Sequence, residues 1–305
     1  MSLTIILLAI LLDFILREPP EIRFHPLIFL GNLMNGTWRR FKNKNPLIER
    51  INGVVYALLF IVPITLVLFF LSNFLISVNR LVYAVFAALL LNYCIAISSF
   101  YDCARPVIKA LRKNDMKKAR EAVKFFVTRE TSKLNKEQIV SAVVESIGEN
   151  ICDALIAPLF YFLLFGIAGA AAMKIINLLD GTIGYKTKDK KNIGWFSARL
   201  DDIAQFIPAR ITGILILMIS IFIGNLKNTF RILKRDRNKD DGINSGWTIA
   251  AMAGILNVQL ERPNTYIMGD KKERLSTKKI DKALSLIPLT LIFFLTIFFV
   301  LRGMI

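Results

Sequence analysis

The polar residues with the greatest potential for chemistry lie between Glu145 and Arg210, where they interrupt apolar segments. Such groups are costly in apolar surroundings unless they are paired, hydrated or bound to a metal. That cost makes this stretch the candidate site. Its polar residues include Glu145, Glu149, Asn150, Asp153, Tyr185, Lys186, Arg199, Asp201, Asp202 and Arg210.

Three carboxylates, on Glu145, Glu149 and Asp153, follow one another at spacings of four. If one helix continues through all three, they form a stripe roughly 12 Å long. Like charges in a row repel each other unless a cation lies among them. The pattern predicts magnesium, free or bound to phosphate, with Asp202 as a further ligand. The alternative is a solvated acidic face whose negative charge balances the positive charge of a neighbouring basic loop.

The adjacent pair Asp201 and Asp202 follows Arg199 by two and three residues. Neighbouring side chains on a helix point about 100° apart, so one aspartate can bind metal while the other orients Arg199 or Arg210. A guanidinium binds phosphate through two parallel hydrogen bonds. The pattern therefore predicts a phosphate site, and its alternative is a surface ion pair that holds the loop.

Composition places these residues in a membrane protein. The chain of 305 residues is 54% hydrophobic and has a net charge of +17, from 40 Lys and Arg against 23 Asp and Glu. No zinc-finger, homeodomain or RNP pattern accompanies the charge, so nucleic acid is not an expected partner. Cytoplasmic loops beside anionic lipid explain the charge better.

The pattern of apolar segments predicts an all-α, polytopic integral membrane helix bundle that forms a single membrane-embedded domain over residues 1–305. Segments of roughly 20 apolar residues are long enough to span. We expect spans at 53–77, 81–101 and 284–301 and a retained anchor at 1–16.

The loop at 102–150 is basic and helical, which places it in the cytoplasm by the positive-inside bias. The segments 155–173 and 207–224 contain Pro and Gly, and we expect them to be broken or re-entrant, with the active site on the cytoplasmic side. Thr128–Ser132 offers a helix cap, and 248–260 is a short helix of small residues.

Four ordered motifs run along the chain, besides His25-Pro26 near the amino terminus. They are Glu145-x-x-x-Glu149-Asn150-x-x-Asp153, Leu179-Asp180-x-x-x-Gly184-Tyr185-Lys186, Gly194-Trp195-x-x-Ala198-Arg199-Leu200-Asp201-Asp202 with Pro208-Ala209-Arg210, and Asn244-Ser245-Gly246. Together they resemble the adenosylcobinamide-phosphate synthase family of cobalamin biosynthesis. The chain departs from the family pattern at Glu130, Ile28 and Gln205, and Ile28 stands where an Arg is expected.

The resemblance implies an ATP-dependent amide ligase of the cell membrane, which joins adenosylcobyric acid to aminopropanol phosphate or a related amino alcohol. It implies Mg²⁺ and ATP, the latter as a substrate, although no P-loop motif is present. Further expected partners are membrane lipids, other membrane-bound enzymes of the pathway and a second copy of the chain. Catalytic roles fall to Glu149, Asp153, Arg199, Asp201 and Asp202; substrate or phosphate binding falls to His25, Arg129, Asn150, Tyr185, Lys186, Arg210 and Asn244.

Two other classes of function stay open on the residues alone. A magnesium-dependent lipid or prenyl transferase would also place carboxylates at the membrane, yet only Asp201–Asp202 is a doubled acidic pair here. In a transporter or non-catalytic regulator, charged residues are expected near the bilayer midplane, whereas here they cluster at the ends of the apolar segments.

Overall fold

A computed structural model describes residues 1–17, 26–127, 129–185 and 187–303 of the chain. Helices dominate it, and one small β-hairpin is present. The chain divides into two compact units: Met1–Ala96 with Ala157–Gln205, and Ile97–Ile156 with Phe206–Ile305. The first contains α1 (Ser2–Leu16), α2 (Pro26–Thr37), α3 (Pro46–Val78), α4 (Arg80–Cys94), α8 (Ala157–Ile183) and α9 (Trp195–Ala204). The second contains α5 (Ile97–Arg112), α6 (Met116–Ala122), α7 (Lys136–Ile151), α10 (Phe206–Phe222), α11 (Leu226–Asp236), α12 (Ser245–Leu256), β1 (Gln259–Arg262), β2 (Tyr266–Gly269) and α13 (Thr277–Gly303).

Four helical stretches in the described part of the chain are long and apolar enough to cross a membrane: Pro46–Val78, Arg80–Arg112, Lys136–Ile183 and Thr277–Gly303. In α3 the large side chains of Leu66, Phe70 and Phe74 are exposed, which in a membrane protein means contact with lipid. The all-α polytopic membrane fold expected from the sequence is confirmed. The expectation of one domain over 1–305 stays a prediction.

The first unit is built on α3 and α8, which enclose an apolar core. Asn45 caps α3 by accepting from Leu47 N, and Pro46 occupies its first turn, so the helix begins earlier than the expected span at 53. The core contains Met34, Trp38, Tyr56, Ala57, Ile175, Leu179, Ile183 and Ile193. This packing fixes the carboxyl-terminal half of α8, which carries Asp180.

Helix α8 is interrupted at Gly166 and folds back on itself. Gly166 has φ 66° and ψ −160°, a region open almost only to glycine. Ala157 shares a core cluster with Met173, although a straight helix would hold them about 24 Å apart. A Cβ at Gly169 would lie 2.6 Å from Tyr161 O. The segment 157–173 is therefore a helical hairpin, as expected of a re-entrant segment.

The second unit has a well-defined helix start at α7. Asn135 accepts from Gln138 N, and the Gln138 side chain accepts from Asn135 N, which together form a capping box. The cap expected at Thr128–Ser132 is therefore wrong. In that loop, Ser132 N donates to Glu130 at 2.9 Å and Thr131 Oγ1 donates to Arg120 O at 3.0 Å, so its side chains stabilise the loop.

Helices α10 and α11 form an antiparallel pair against α12. A Cβ at Gly213 of α10 would lie 3.1 Å from Trp247 O, and one at Gly254 would lie 2.6 Å from Thr229 Cα of α11. Asn225, at the turn between them, donates to Ile255 O at 2.9 Å. The chain thus returns to the end of the unit where α10 begins. Small residues on α12 permit this close packing.

The sequence does not indicate the hairpin of β1 and β2, because residues 261–283 are mostly polar and basic. Asn257 adopts the left-handed conformation (φ 55°) and ends α12 before the expected boundary at 260. Arg262 then pairs with Tyr266 across the turn. Asp236 of α11 is fully buried and accepts from Gly269 N at 2.7 Å, which fastens β2 to that helix.

The expected span at 81–101 lies within the apolar helical stretch Arg80–Arg112, which contains a break that the sequence did not indicate. Helix α4 ends at Cys94, Ile95 is extended, and α5 starts at Ile97. Hydropathy did not reveal this break because the residues on both sides of it are apolar.

Candidate functional site

Several of the predicted site residues fall into two clusters, one in each unit. The Asp201 cluster, in the first unit, consists of Asn177, Asp180, Arg199, Asp201 and Asp202. The Glu145 cluster, in the second unit, consists of Arg129, Ser141, Glu145, Glu149, Arg262 and Tyr266. Both collect charged groups within otherwise apolar helices.

The Asp201 cluster gathers three carboxylates from α8 and α9. Asn177 Nδ2 lies 3.5 Å from Asp201 Oδ1. The negative charges of Asp180 and Asp202 both act on Asp201. Arg199 Nη1 lies 3.4 Å from Asp202 Oδ2, while its side chain stays 63% exposed. Asp202 therefore orients Arg199, and Asp201 faces Asp180. One aspartate pairs with the arginine as expected, while Asp202 as a metal ligand stays a prediction.

Asp180 packs against Gly184, where a side chain could not be accommodated. A Cβ at Gly184 would overlap Asp180 Oδ1, so a side chain there would displace the carboxylate. Lys190 closes the following loop by donating to Thr182 O at 2.7 Å. Its ammonium lies 5.0 Å from the centre of the Tyr185 ring, a cation–π distance. Asp180 thus belongs to the site, although only its motif had been noted.

In the Glu145 cluster the central carboxylate is 4% exposed and fully engaged. Glu145 Oε1 accepts from Ser141 Oγ at 2.5 Å, and Oε2 accepts from Tyr266 OH at 2.8 Å. Arg129 Nη1 lies 3.5 Å from Oε2. Because both oxygens already have protein donors, this geometry makes Glu145 a buried anchor rather than an open metal ligand.

Tyr266 keeps its proton in this arrangement. Burial, together with the negative charge of Glu145, raises the pKa of Tyr266 far above its ordinary value of 10.0. The hydroxyl is therefore a permanent donor to Glu145 at neutral pH. Ser141 also accepts from Glu261 N at 2.7 Å, so α7 is attached to β1 next to the same carboxylate.

Glu149 lies one helical turn beyond Glu145 and has a mixed charge environment. The carboxylates of Glu145 and Asp240 and the guanidinium groups of Arg262 and Arg129 all act on it. Asn150 donates to Ser146 O at 2.8 Å within the same helix.

Asp153 does not continue the expected stripe in regular α-helical register. The α-helix ends at Ile151, and Cys152–Ile156 forms a turn of π-helix. A π turn contains more residues per turn than an α-helix and shifts the side chains that follow. The condition that one helix carries all three carboxylates is therefore not met.

Arg210 and Asn244 meet at the start of α10 and α12, as neighbours in the second unit. Arg210 Nη1 donates to Asn244 Oδ1 at 2.6 Å and to Phe206 O at 2.9 Å, and Nη2 donates to Ile243 O at 3.2 Å. The guanidinium lies 5.3 Å from the centre of the Trp247 ring. The structure thus brings two predicted substrate-binding residues together.

Two predicted residues, His25 and Lys186, lie outside the described residues. Among the described ones, no group of three or more His, Cys, Asp or Glu side chains could hold a metal ion. Within the second unit, Glu145, Glu149 and Asp153 therefore do not form a protein cage for a metal, and Asp202 as a metal ligand stays a prediction. Magnesium commonly uses one or two carboxylates with phosphates and water.

Sequence reasoning missed several members of the Glu145 cluster. Ser141 lies one turn before Glu145 on the same face, so helical spacing could have found it. Tyr266 is 121 residues away from Glu145 in the chain. Only the position of the unforeseen hairpin reveals Tyr266 and Arg262.

Fold and clusters together define a helical, multi-span membrane protein whose ionisable groups are gathered into buried or half-buried polar sites. Such groups within membrane helices mark functional positions. The family model for the CobD/Cbib protein matches residues 6–287, and the chain belongs to this family.

Relatives align over nearly the whole chain. A "Probable cobalamin biosynthesis protein CobD" of Methanothermobacter thermautotrophicus is 39% identical over 294 residues, 96% of this chain and 95% of the relative. A "Cobalamin biosynthesis protein CobD" of Dehalococcoides mccartyi is 35% identical over 291 residues, 93% and 92% of the two chains. One of Leptospira interrogans is 35% identical over 311 residues, covering 96% of each. No solved structure matches the chain.

Proposed function

We propose that this protein is an ATP-dependent amide ligase of cobalamin biosynthesis, which condenses adenosylcobyric acid with aminopropanol phosphate or a related amino alcohol. The observation that carries the proposal is membership of the CobD/Cbib family over residues 6–287. Relatives matched over the length of the chain are named as cobalamin biosynthesis proteins.

The chemistry needs a source of energy, because a carboxylate and an amine do not condense unaided in water. Transfer of the γ-phosphoryl group of ATP to the corrinoid carboxylate forms an acyl phosphate and ADP. The amine nitrogen then forms the amide bond, phosphate leaves with one oxygen of the original carboxylate, and the amine gives up a proton. Negative charge develops on the transferring phosphoryl and on the leaving phosphate, which requires cations nearby.

The Asp201 cluster suits magnesium-bound phosphates. Asp180 and Asp201 supply hard oxygen donors at the edge of an apolar segment, and magnesium would neutralise phosphate charge there. Asp202 orients Arg199 at 3.4 Å, and the Arg199 side chain is largely exposed. Its guanidinium could therefore donate two hydrogen bonds to the oxygens of one phosphate. Asn177 positions Asp201 from the neighbouring helix.

The second unit carries a separate set of groups suited to anionic substrates. Arg129 and Arg262 place positive charge around Glu149, where an anionic substrate group would bind. Glu149 is the candidate acceptor of the amine proton, and Glu145 positions Arg129. Arg210, fixed by Asn244, offers a second guanidinium for phosphate.

The test uses the purified full-length protein in nanodiscs with adenosylcobyric acid, aminopropanol phosphate and Mg-ATP. We expect a corrinoid product whose mass equals the two substrates minus one water, with one ADP and one phosphate formed per amide. With ¹⁸O in the carboxylate, one label should appear in the phosphate. Reactions without the amine or without magnesium are the controls.

Other outcomes would identify the rival functions. Turnover of a polyprenyl diphosphate without any corrinoid would indicate a lipid transferase. Uptake of corrinoid into proteoliposomes without chemical change would indicate a transporter.

A further inference from the structure

A cavity of about 580 Å³ lies between the end of α10 and the start of α11. Its wall combines apolar and basic side chains, among them Ile221, Leu226, Lys227, Arg231 and Lys272. None of these residues belongs to either cluster described above. The cavity therefore needs an explanation of its own.

The apolar side of the cavity continues a lipid-facing stripe of α10. Ile207, Ile214 and Ile221, spaced seven residues apart, are all exposed. Residues at this spacing lie on one face of a helix. The stripe extends past the helix end through the exposed side chains of Ile223 and Leu226. Acyl chains of a lipid would find a continuous apolar surface that leads into the cavity.

The basic side of the cavity is held in place by Asn228. Asn228 Oδ1 accepts from Lys272 Nζ at 2.8 Å and from Arg231 Nη2 at 2.9 Å. Its amide group donates to Gly254 O at 2.9 Å and Asn257 Oδ1 at 2.8 Å, so it is anchored to the end of α12. Two cations from different parts of the chain are therefore positioned together by one amide.

The charge balance of the cavity favours an anion. Arg231 forms an ion pair with Asp270, which leaves Lys227 and Lys272 as the excess positive charge. Both lysines are exposed. A phosphate bound between them would sit at the start of α11, where backbone N–H groups and the helix dipole also favour negative charge.

We propose that this cavity binds the phosphate headgroup of an anionic phospholipid, whose acyl chains lie along the Ile214–Ile221 stripe. Basic side chains beside apolar ones are the pattern of segments that lie in the membrane interface. The continuous apolar surface distinguishes this site from one for a free anion, which would not need it. The lipid would hold α11 at the membrane surface, independently of the proposed ligase activity.

The test is native mass spectrometry of the full-length protein released from mixed micelles of phosphatidylglycerol and phosphatidylcholine. We expect bound phosphatidylglycerol in preference to phosphatidylcholine. The double variant Lys227→Gln/Lys272→Gln should lose about 30-fold of this preference, since each basic residue near an anionic lipid surface contributes about fivefold in affinity.

The matched control is Lys113→Gln/Lys117→Gln, which removes the same charge from exposed positions elsewhere in the second unit. It should keep the preference of the parent, and circular dichroism should show unchanged helicity in both variants. The proposal is overturned if the parent shows no preference, if the control loses as much as the cavity variant, or if the cavity variant keeps it. Displacement of the lipid by millimolar inorganic phosphate would also overturn it, because the site would then be one for free anions.

Discussion

Two further carboxylates act on Asp201, and Asn177 Nδ2 offsets them with a hydrogen bond to it. A surface that needed only stability would not gather like charges in this way, because they repel. If magnesium binds there as proposed, the cation would offset this repulsion. A carboxylate kept for function should then lower the stability of the protein without its cation, whereas a structural carboxylate should raise it.

We predict that Asp201→Asn lowers ligase activity at least about 100-fold, or about 2.7 kcal/mol of transition-state stabilisation. Thermal unfolding in detergent should show equal or higher stability, because one like charge has been removed. The control Asp189→Asn changes an exposed aspartate that pairs with Lys42 and should leave activity within about twofold. Near-parental activity of Asp201→Asn would remove this residue from the site.

The hydrogen bond from Tyr266 OH to Glu145 Oε2 is a polar contact that we expect to stabilise the fold. We predict that Tyr266→Phe destabilises the protein by about 1–3 kcal/mol, because the buried carboxylate of Glu145 loses a donor that nothing replaces. The measurement is chemical unfolding followed by circular dichroism, with Tyr185→Phe at an exposed position as the control. Equal stability of the two variants would show that this hydrogen bond contributes nothing.

At the scale of elements, the turn at Gly166 decides whether α8 is a span or a hairpin. Any side chain at φ 66° and ψ −160° is strained. We predict that Gly166→Ala costs about 1–3 kcal/mol in unfolding free energy. Gly181→Ala, with nothing within 4 Å of its Cβ position, should be neutral or stabilising, since Ala favours the helix. Similar results for the two variants would mean that the turn tolerates a side chain.

The contact of α11 with the β-hairpin depends on the ionised form of Asp236. Burial alone would raise the pKa of Asp236, but hydrogen bonds from Arg235, Lys239 and Gly269 N outweigh it and lower the pKa from 3.8 to about 2. A carboxylate whose pKa is depressed by folding stabilises the native state above its unfolded pKa. This contribution is complete above about pH 4 and is lost as the pH falls toward 2.

We therefore predict that Asp236→Asn loses about 2 kcal/mol of stability at pH 6 and that the difference from the parent shrinks on acidification to pH 3. Melting temperatures of both proteins, measured in detergent across that range, check this. A difference that is independent of pH would show that packing rather than charge accounts for the loss. Because β2 carries Tyr266, weakening this contact should also disturb the Glu145 cluster.

At the scale of the whole molecule, the sequence predicts that the loop between α8 and α9 lies on the cytoplasmic side of the membrane. The basic residues at 188–191 and the need for cytosolic ATP both place it inside the cell. The hairpin in α8 agrees, since a segment that folds back does not carry the chain across. This placement stays a prediction of the sequence and of the proposed function.

We predict that Lys188→Cys, in a Cys103→Ser background, is not labelled by an impermeant maleimide added to intact cells and is labelled after permeabilisation. The background change is needed because Cys103 is half-buried, while Cys94 and Cys152 are buried. Rapid labelling of intact cells would place the loop outside and contradict a cytoplasmic site.

Much of this protein was determined by the sequence alone. Long apolar segments require membrane helices, because unsatisfied backbone groups are too costly in lipid. Gly166 marked the break in α8, and the spacing of Arg199, Asp201 and Asp202 predicted that an aspartate would pair with Arg199. These features depend on local periodicity and on residue type, which a sequence displays directly.

Only the tertiary structure decided how distant residues meet. The left-handed Asn257 and the hairpin that follows bring Tyr266 to Glu145, across 121 residues. The π turn after Ile151 takes Asp153 out of the expected register, and Asp180 joins Asp201 through the packing of α8 against α9. Such contacts result from chain reversals and helix packing that no local pattern encodes, so the burial of Glu145 among its donors and the approach of Asp180 to Asp201 are evident only from the fold.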